Sequence, residues 1–315
     1  MRGPVAPGAL PLAALLVTVC LWASSFAVMK VAIGTFGAGF VVWSRMAVAV
    51  AVLLPAAPRI LARAPRHPGD WKWLALMALL QPCLYFLLEA NALRFTTSSQ
   101  AGMISALLPL MVCAGAGALL GERVAGRTWA GCVVSALGVA WLTWLSAPSL
   151  AASDPVLGNL LEVAAMASSA GFMLLVRRLA VRYDADFLTL VQFGAGALFF
   201  LPGALDPAPW RALASPWAAA ALVYLGLFVT LGAFGLWNWA SRRVPASRAS
   251  ALVNLMPVVA VGLGVGLLGE PLSAWQGVAC TVVIGGVLLG QWQPRRRGAR
   301  PGQPAAQGVS SPGRP

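Results

Sequence analysis

Four ionisable side chains, Lys30, Arg45, Glu89 and Glu162, fall within or at the edge of long apolar runs. At mid-bilayer a lone Arg, Lys or Asp costs ~2.5–3.5 kcal/mol on insertion scales, so such residues mark substrate or ion pathways by default. Two cations and two carboxylates together suggest paired charges rather than four isolated penalties. A carboxylate held there also suits proton carriage, and Glu89 is the first candidate, with Arg45 as its partner or as the contact for a substrate carboxylate. Plainer readings stand beside these. Lys30 snorkels to the interface, Arg45 and Glu89 form a structural ion pair, or Glu162 faces the outer headgroups.

Polar and aromatic residues in the same runs supply a candidate lining: Trp22, Trp43, Gln81, Tyr85, Asn91, Gln192, Trp237, Asn238 and Asn254. Trp43, Trp237 and Trp239 equally fit interfacial anchors. Enzyme chemistry has little to work with. The single histidine, His67, lies in the polar stretch RAPRHPGDWK, and no nucleophile–base pair or metal-ligand cluster is present. No metal and no cofactor is expected. Cys20, Cys83, Cys113, Cys132 and Cys280 lie singly in apolar runs and read as small buried hydrophobes. The glycine-rich runs 113–118 and 262–266 are not phosphate loops, because no strand precedes them and no Lys-Ser/Thr follows. They offer small faces for close helix packing.

The elements that must position these residues are membrane helices. The 315-residue chain is 59% hydrophobic and 10% charged, whereas a soluble domain carries about a quarter charged residues. Ten apolar segments follow one another, roughly 10–32, 37–57, 73–93, 98–120, 128–147, 156–176, 187–205, 217–240, 247–268 and 273–292. Each is long enough to cross ~30 Å of hydrocarbon as a helix. Without water the backbone has no other partner, and no alternating barrel pattern appears. With a cytoplasmic N-terminus, 18 of the 22 Lys and Arg fall in cytoplasmic segments. That asymmetry places both termini in the cytoplasm. It also explains the net charge of +13 without nucleic acid. Arg2, the first apolar run and Ala23-Ser24-Ser25 imitate a signal peptide, but Ala167-Ser168-Ser169 repeats that triplet in the sixth segment and argues for a retained first helix. At ~1.5 Å per residue, Arg45 is about 12 Å deep, Glu162 about 9 Å, Glu89 about 6 Å and Lys30 about 3 Å, all in the outer half. A water-accessible vestibule with paired charges is the expectation.

The chain also repeats itself. Residues 94–122 recur 148 positions later as 242–270, so that Pro109, Gly121 and Glu122 meet Pro257, Gly269 and Glu270. Five helices per copy is an odd number, so the second copy enters the membrane upside down, with Glu122 inside and Glu270 outside. Inverted repeats point to transporters. Pro109 and Pro257 interrupt the fourth and ninth helices at matching points, as shared hinges or packing devices. Arg45 aligns with Gln192, and Leu174 stands where Lys30 aligns, so a role of Lys30 is not shared between the halves.

LWASSFAVMK (21–30), WSRMAVA (43–49), ALRFTTSSQAGMISALLPL (92–110), LLGERVAGRTWAG (119–131), LWNWASRRVPASRASALVNLMPV (236–258) and LLGEPLSAWQG (267–277), taken in order, resemble the drug/metabolite transporter superfamily, specifically EamA-type transporters with two EamA repeats. The resemblance implies an all-α integral membrane protein with ten transmembrane helices in two inverted five-helix repeats. It divides the chain into repeat 1 (10–147), repeat 2 (156–292) and a basic cytoplasmic tail (293–315) expected to be disordered. It implies a multi-pass protein of the inner (plasma) membrane that moves small-molecule substrates by alternating access. Export of amino acids or related metabolites, with protons as candidate coupling ion, is the leading expectation. A multidrug exporter and a channel or facilitator are the alternatives.

Overall fold

The computed structural model describes residues 9–65, 67–121, 124–241, 243–244 and 252–291. Glu122 and the tail expected over 293–315 lie outside the described residues. Ten helical segments match the ten apolar runs in order: α1 (Ala9–Phe36), α2 (Ala38–Arg63), α3 (Trp71–Phe95), α4 (Ser98–Leu119), α5 (Gly126–Trp144), α6 (Pro155–Leu179), α7 (Ala185–Phe199), α8 (Pro216–Trp237), α9 (Met256–Leu268) and α10 (Ala274–Gln291). Seven of these are long and apolar enough to cross a membrane, and α7 and α9 are shorter apolar helices. No strand is present among the described residues. The chain is an all-α membrane protein.

Helix limits follow local chemistry. The seventh run, expected to reach 205, stops as a helix at Phe199, and short helices restart at Pro202 and Pro207. Proline lacks the N–H that would continue the ladder but fits a first turn. Pro109 and Pro257 likewise open the second helical stretches: α4 passes through a 3-10 turn at Ser105–Leu107 and resumes at Leu108, while Pro257 lies in the first turn of α9. Gly121 and Gly269 close α4 and α9 with φ of 65° and 62°. That left-handed conformation is costly for any side chain, and it accounts for glycine in both copies of the LLGE sequence.

Two further interruptions obey the repeat. Helix α3 breaks at Gln81 (φ −148°, ψ 120°), just before Pro82. Helix α8 widens to a π-type turn over Tyr224–Gly232, which contains Thr230, the residue 148 positions after Pro82. Backbone groups released at such depth must be re-satisfied inside the protein. Ser168 Oγ donates to Leu80 O at 2.8 Å, and Thr230 Oγ1 donates to Leu225 O at 2.8 Å.

Extensive helix pairs cross between the repeats: α5 with α10, α3 with α6 and α7, α4 with α6 and α9, α1 with α8 and α9, and α2 with α7 and α8. Exchanging each helix for its counterpart five places along maps this set onto itself. The largest core joins α1, α2 and α3 to α7 and α8 through Phe26, Phe40, Met46, Phe86, Phe193 and Leu225. Contact between α5 and α10 is backbone to backbone. A Cβ on Gly286 would lie 2.6 Å from Ser135 N, and one on Gly131 would lie 2.5 Å from Gly286 O. Ser135 Oγ donates to Val283 O, and Thr128 Oγ1 to Gly290 O, both at 3.0 Å. The glycine run 262–266 behaves as expected only at Gly264, since Gly262 and Gly266 face open space. Of the cysteines expected to be buried, Cys83 is buried but Cys20 and Cys113 are exposed on the outside of the bundle, where hydrocarbon solvates them as well as protein would.

Because neither backbone can retreat, Gly286→Val should separate α5 from α10 and destabilise the protein by ~2 kcal/mol or more. Thermal unfolding of the purified protein in detergent checks this. An unchanged midpoint would mean the contact is looser than described.

Candidate functional site

Arg45, Tyr85, Glu89 and Glu162 are brought into one buried centre. Tyr85 and Glu89 are one turn apart on α3 and face the same way. The Tyr85 hydroxyl donates to Glu89 Oε1. Arg45, on α2, donates through Nε to Thr230 Oγ1 of α8 at 3.1 Å and points Nη1 at Met29 Sδ of α1, 3.3 Å away. Its guanidinium carbon lies 4.4 Å from the ring centre of Phe86, a cation–π distance. Arg45 and Glu89 feel each other electrostatically, but the hydrogen bond to Glu89 comes from Tyr85. Glu162, on α6, is within electrostatic reach of Glu89 and Tyr85. Neither of its oxygens has a hydrogen-bond partner. Both repeats therefore contribute, with the guanidinium on the Glu89 side and Glu162 without a cation of its own.

The three charged groups of the centre are shut off from solvent, while Tyr85 is half-buried. Arg45, Glu89 and Glu162 are 4%, 3% and 0% exposed. The expected vestibule is closed in this structure, and Glu162 does not face headgroups, because α6 packs that side against α3 and α4. The two best-formed clefts have apolar linings and include none of these residues. One lies at Ala27, Val31 and Leu268, the other at Met103, Pro257 and Cys280.

Lys30 stands apart, at the end of the bundle that carries Thr97, referred to below as the Thr97 face. Its ammonium donates to Leu93 O at 2.9 Å and to Thr96 O. It thereby caps the C-terminal end of α3 instead of snorkelling. It also interacts electrostatically with Glu270. Glu270 follows the Gly269 turn and reaches across to repeat 1. Its Oε1 accepts from Ser98 N (2.7 Å) and Ser98 Oγ (2.9 Å), and its Oε2 from Ser99 N (2.9 Å) and Ser99 Oγ (2.6 Å). A carboxylate at a helix N-terminus meets both free N–H donors and the positive end of the helix dipole. Gly264 leaves the room, since a Cβ there would lie 2.4 Å from Glu270 Oε2. Beside this clamp Gln100 Oε1 accepts from Asn159 Nδ2 at 2.9 Å and from Ser146 Oγ at 3.0 Å, and Asn159 Oδ1 accepts from the Thr96 hydroxyl at 2.7 Å. A single connected polar layer thus ties α3 to α4, α5 and α6.

The opposite face carries an ion pair that joins the α2–α3 and α6–α7 connections. Arg182 Nη1 lies 2.9 and 3.0 Å from the two Asp70 oxygens, and Tyr183 donates its hydroxyl to Asp70 Oδ2 at 3.3 Å. The hydrogen bond from Arg182 holds the Asp70 carboxyl below the usual carboxylate range, against the opposite pull of burial.

The remaining lining candidates are dispersed. Trp22 packs obliquely on Trp237 and edge-on to Phe234, with ring centres 5.4 and 5.5 Å apart. Trp43 packs on Phe40 and Trp210 near the Thr97 face. Asn91 turns to Leu87 O and Arg94, away from the centre. Asn254 Nδ2 donates to Gln291 at 3.2 Å. Gln81 accepts from Ser169, and Gln192 is buried on α7 with Nε2 unpartnered. The side chain of Asn238 lies outside the described residues. Thr230, Met29 and Phe86, which hold Arg45, were not singled out by sequence, and neither were Ser98, Ser99 and Asn159. The repeated LLGE motif and the polar Asn159 one turn before Glu162 were the available signals. No group of three or more metal-ligating side chains occurs among the described residues.

Residues 10–144 and 156–290 each match the EamA-like transporter family. An "uncharacterized transporter" of Bacillus subtilis, YetK, is 29% identical over 62% of this chain and 60% of its own length, so the chain spans less than two thirds of that relative. A protein of Streptantibioticus cattleyicolor named "probable terminal-alkyne amino-acid exporter" is 28% identical over 92% of this chain and 97% of its own. A solved crystal structure, 23% identical, superposes with a TM-score of 0.55 over 88% of this chain and 96% of that one, which is a likeness of fold.

The depressed Asp70 carboxyl sets a sign for pH dependence. Its folded-state value lies below its unfolded one, so its contribution to stability is complete above the carboxylate range and lost as pH falls through the folded value. The wild type should therefore be more stable than Asp70→Asn near pH 7, and the gap should close below ~pH 4. Paired unfolding curves across pH check this, and a gap that is constant with pH would contradict it.

Proposed function

The chain belongs to the EamA-like transporter family, and on that premise we propose that it is a secondary transporter exporting small amphipathic metabolites, amino acids or related compounds, by alternating access. The observation that carries this reading is the buried Arg45–Tyr85–Glu89–Glu162 centre, built by helices of both repeats and with its charged groups shut off from solvent. An inverted pair of repeats can rock about such a fixed site and open it to either side in turn. The name of the Streptantibioticus relative supports amino acids as the substrate class.

Roles follow from placement. Arg45 is held by Thr230, Met29 and Phe86 with its charge aimed into the centre, where it meets the carboxylate of a substrate. Glu89, hydrogen-bonded by Tyr85, carries the coupling proton. The Thr97 face is the extracytoplasmic side of a protein whose termini are cytoplasmic, a placement supported by the charge asymmetry of the loops. The Glu270–Ser98–Ser99 clamp closes that side, while Asp70–Arg182 joins connections on the cytoplasmic side.

Two measurements test these assignments. In proteoliposomes with an imposed pH gradient, Glu89→Gln should lower the gradient-driven flux of phenylalanine or leucine by at least an order of magnitude while counterflow exchange persists. Full proton-dependent flux in the variant removes Glu89 from the coupling step. For the clamp, a cysteine introduced as Ala90→Cys beside Glu89, with native cysteines replaced, should react slowly with a membrane-impermeant maleimide added outside intact cells. Glu270→Ala should speed that reaction several-fold. Equal rates would mean that the clamp does not hold the external side closed.

A further inference from the structure

Glu162 is the least explained polar group among the described residues. It is fully buried, and both carboxylate oxygens lack a hydrogen-bond partner. Its α6 neighbours Val163 and Met166 belong to an apolar cluster with Ile104, Leu107 and Val139. The titratable groups that face it come from α3, Glu89 and Tyr85, with Arg45 of α2 beyond them. Tyr85 is already committed to Glu89, and Arg45 to Thr230, Met29 and the Phe86 ring. The one guanidinium is therefore engaged on the Glu89 side of the centre.

Buried polar groups are hydrogen-bonded and buried charges are paired. Ionised, Glu162 lacks a cation. Protonated, its O–H still lacks an acceptor. The ionised form calls for a donor with positive charge, and an ammonium group brought against it favours that form. A multivalent metal fits poorly, since no group of three metal-ligating side chains lies there among the described residues. Apolar walls favour a compact cation carried on an apolar body, and the Tyr85 and Phe86 rings add faces that attract ammonium groups.

We propose that Glu162 is the contact for the protonated amine of the substrate, so that the transported class is defined by an ammonium group next to an apolar side chain. This rests on the transporter reading given above and sharpens it. The ammonium donates to the two free oxygens of Glu162, its apolar body lies against Met166, Leu107 and Ile104, and any carboxylate it carries extends toward Arg45. Recognition then depends on the amine first, and a carboxylate alone is insufficient.

Three matched probes separate these requirements: phenylalanine, phenethylamine, which lacks the carboxylate, and phenylacetate, which lacks the amine. Binding to the purified full-length protein is read from thermal shift and tryptophan fluorescence, and transport from counterflow in proteoliposomes. Phenylalanine and phenethylamine should bind and phenylacetate should not. Glu162→Gln, which keeps the shape, should weaken both amines at least tenfold, and Glu162→Asp should restore part of the loss. If phenylacetate binds or exchanges while the amines do not, the ammonium assignment is overturned although the transporter reading survives. A folded Glu162→Gln protein that keeps amine affinity and loses only the pH dependence of flux makes Glu162 a proton site, which also overturns it. If exchange fails for every probe and for a wider metabolite panel, the transporter reading itself fails, and the inference fails with it.

Discussion

Hydrocarbon offers no hydrogen bonds, and this structure is organised by that shortage. Every backbone N–H and C=O at membrane depth must find its partner inside the protein, which makes the chain helical wherever it crosses. The same rule makes each departure from a regular helix informative, because a released carbonyl or amide demands a named replacement. Ser168 supplies it where α3 breaks, and Thr230 where α8 widens. Both breaks sit at corresponding places in the two repeats, beside the buried charges. Irregular backbone and ionisable side chains, the two most expensive features in a bilayer, are concentrated in one region.

The distribution of partners then separates structure from candidate chemistry. Glu270 has four donors, Lys30 has two carbonyls, and Asp70 has Arg182 and Tyr183. These groups are satisfied and join elements distant in sequence. Arg45 and Glu89 are held but not matched to each other, and Glu162 is not matched at all. A polar group with all its bonds made is a fastener, and one left open at full burial is prepared for something that is absent. On that basis the charged residues that looked alike in the sequence fall into two kinds.

Symmetry has a similar dual character. The helix pairs, the glycine turns at 121 and 269 and the prolines at 109 and 257 obey the repeat. They belong to the scaffold that the two halves share. Arg45, Glu89 and Glu162 do not repeat. A centre that breaks the two-fold presents a single arrangement of charge within a scaffold that is doubled.

Much of this was written in the chain itself. Length, scarcity of charge and segment spacing require ten membrane helices, and the 148-residue repeat with five helices per copy requires inversion, because these depend only on periodicity and counting. That Arg45, Glu89 and Glu162 are costly was equally plain, since burial cost depends on position along a helix. Their partners were not. Helix rotation decides which side chains meet, and a run apolar on all sides carries no mark of its inward face. Hence Asn91, two residues from Glu89, points elsewhere, while Thr230, 185 residues from Arg45, holds it. Hence also Lys30, of the same charge as Arg45, serves a helix end. Sequence alone determined which residues had to be paid for in the membrane; tertiary packing decided which of them were satisfied, because satisfaction requires a donor and an acceptor within about 3 Å and only the folded chain sets that distance.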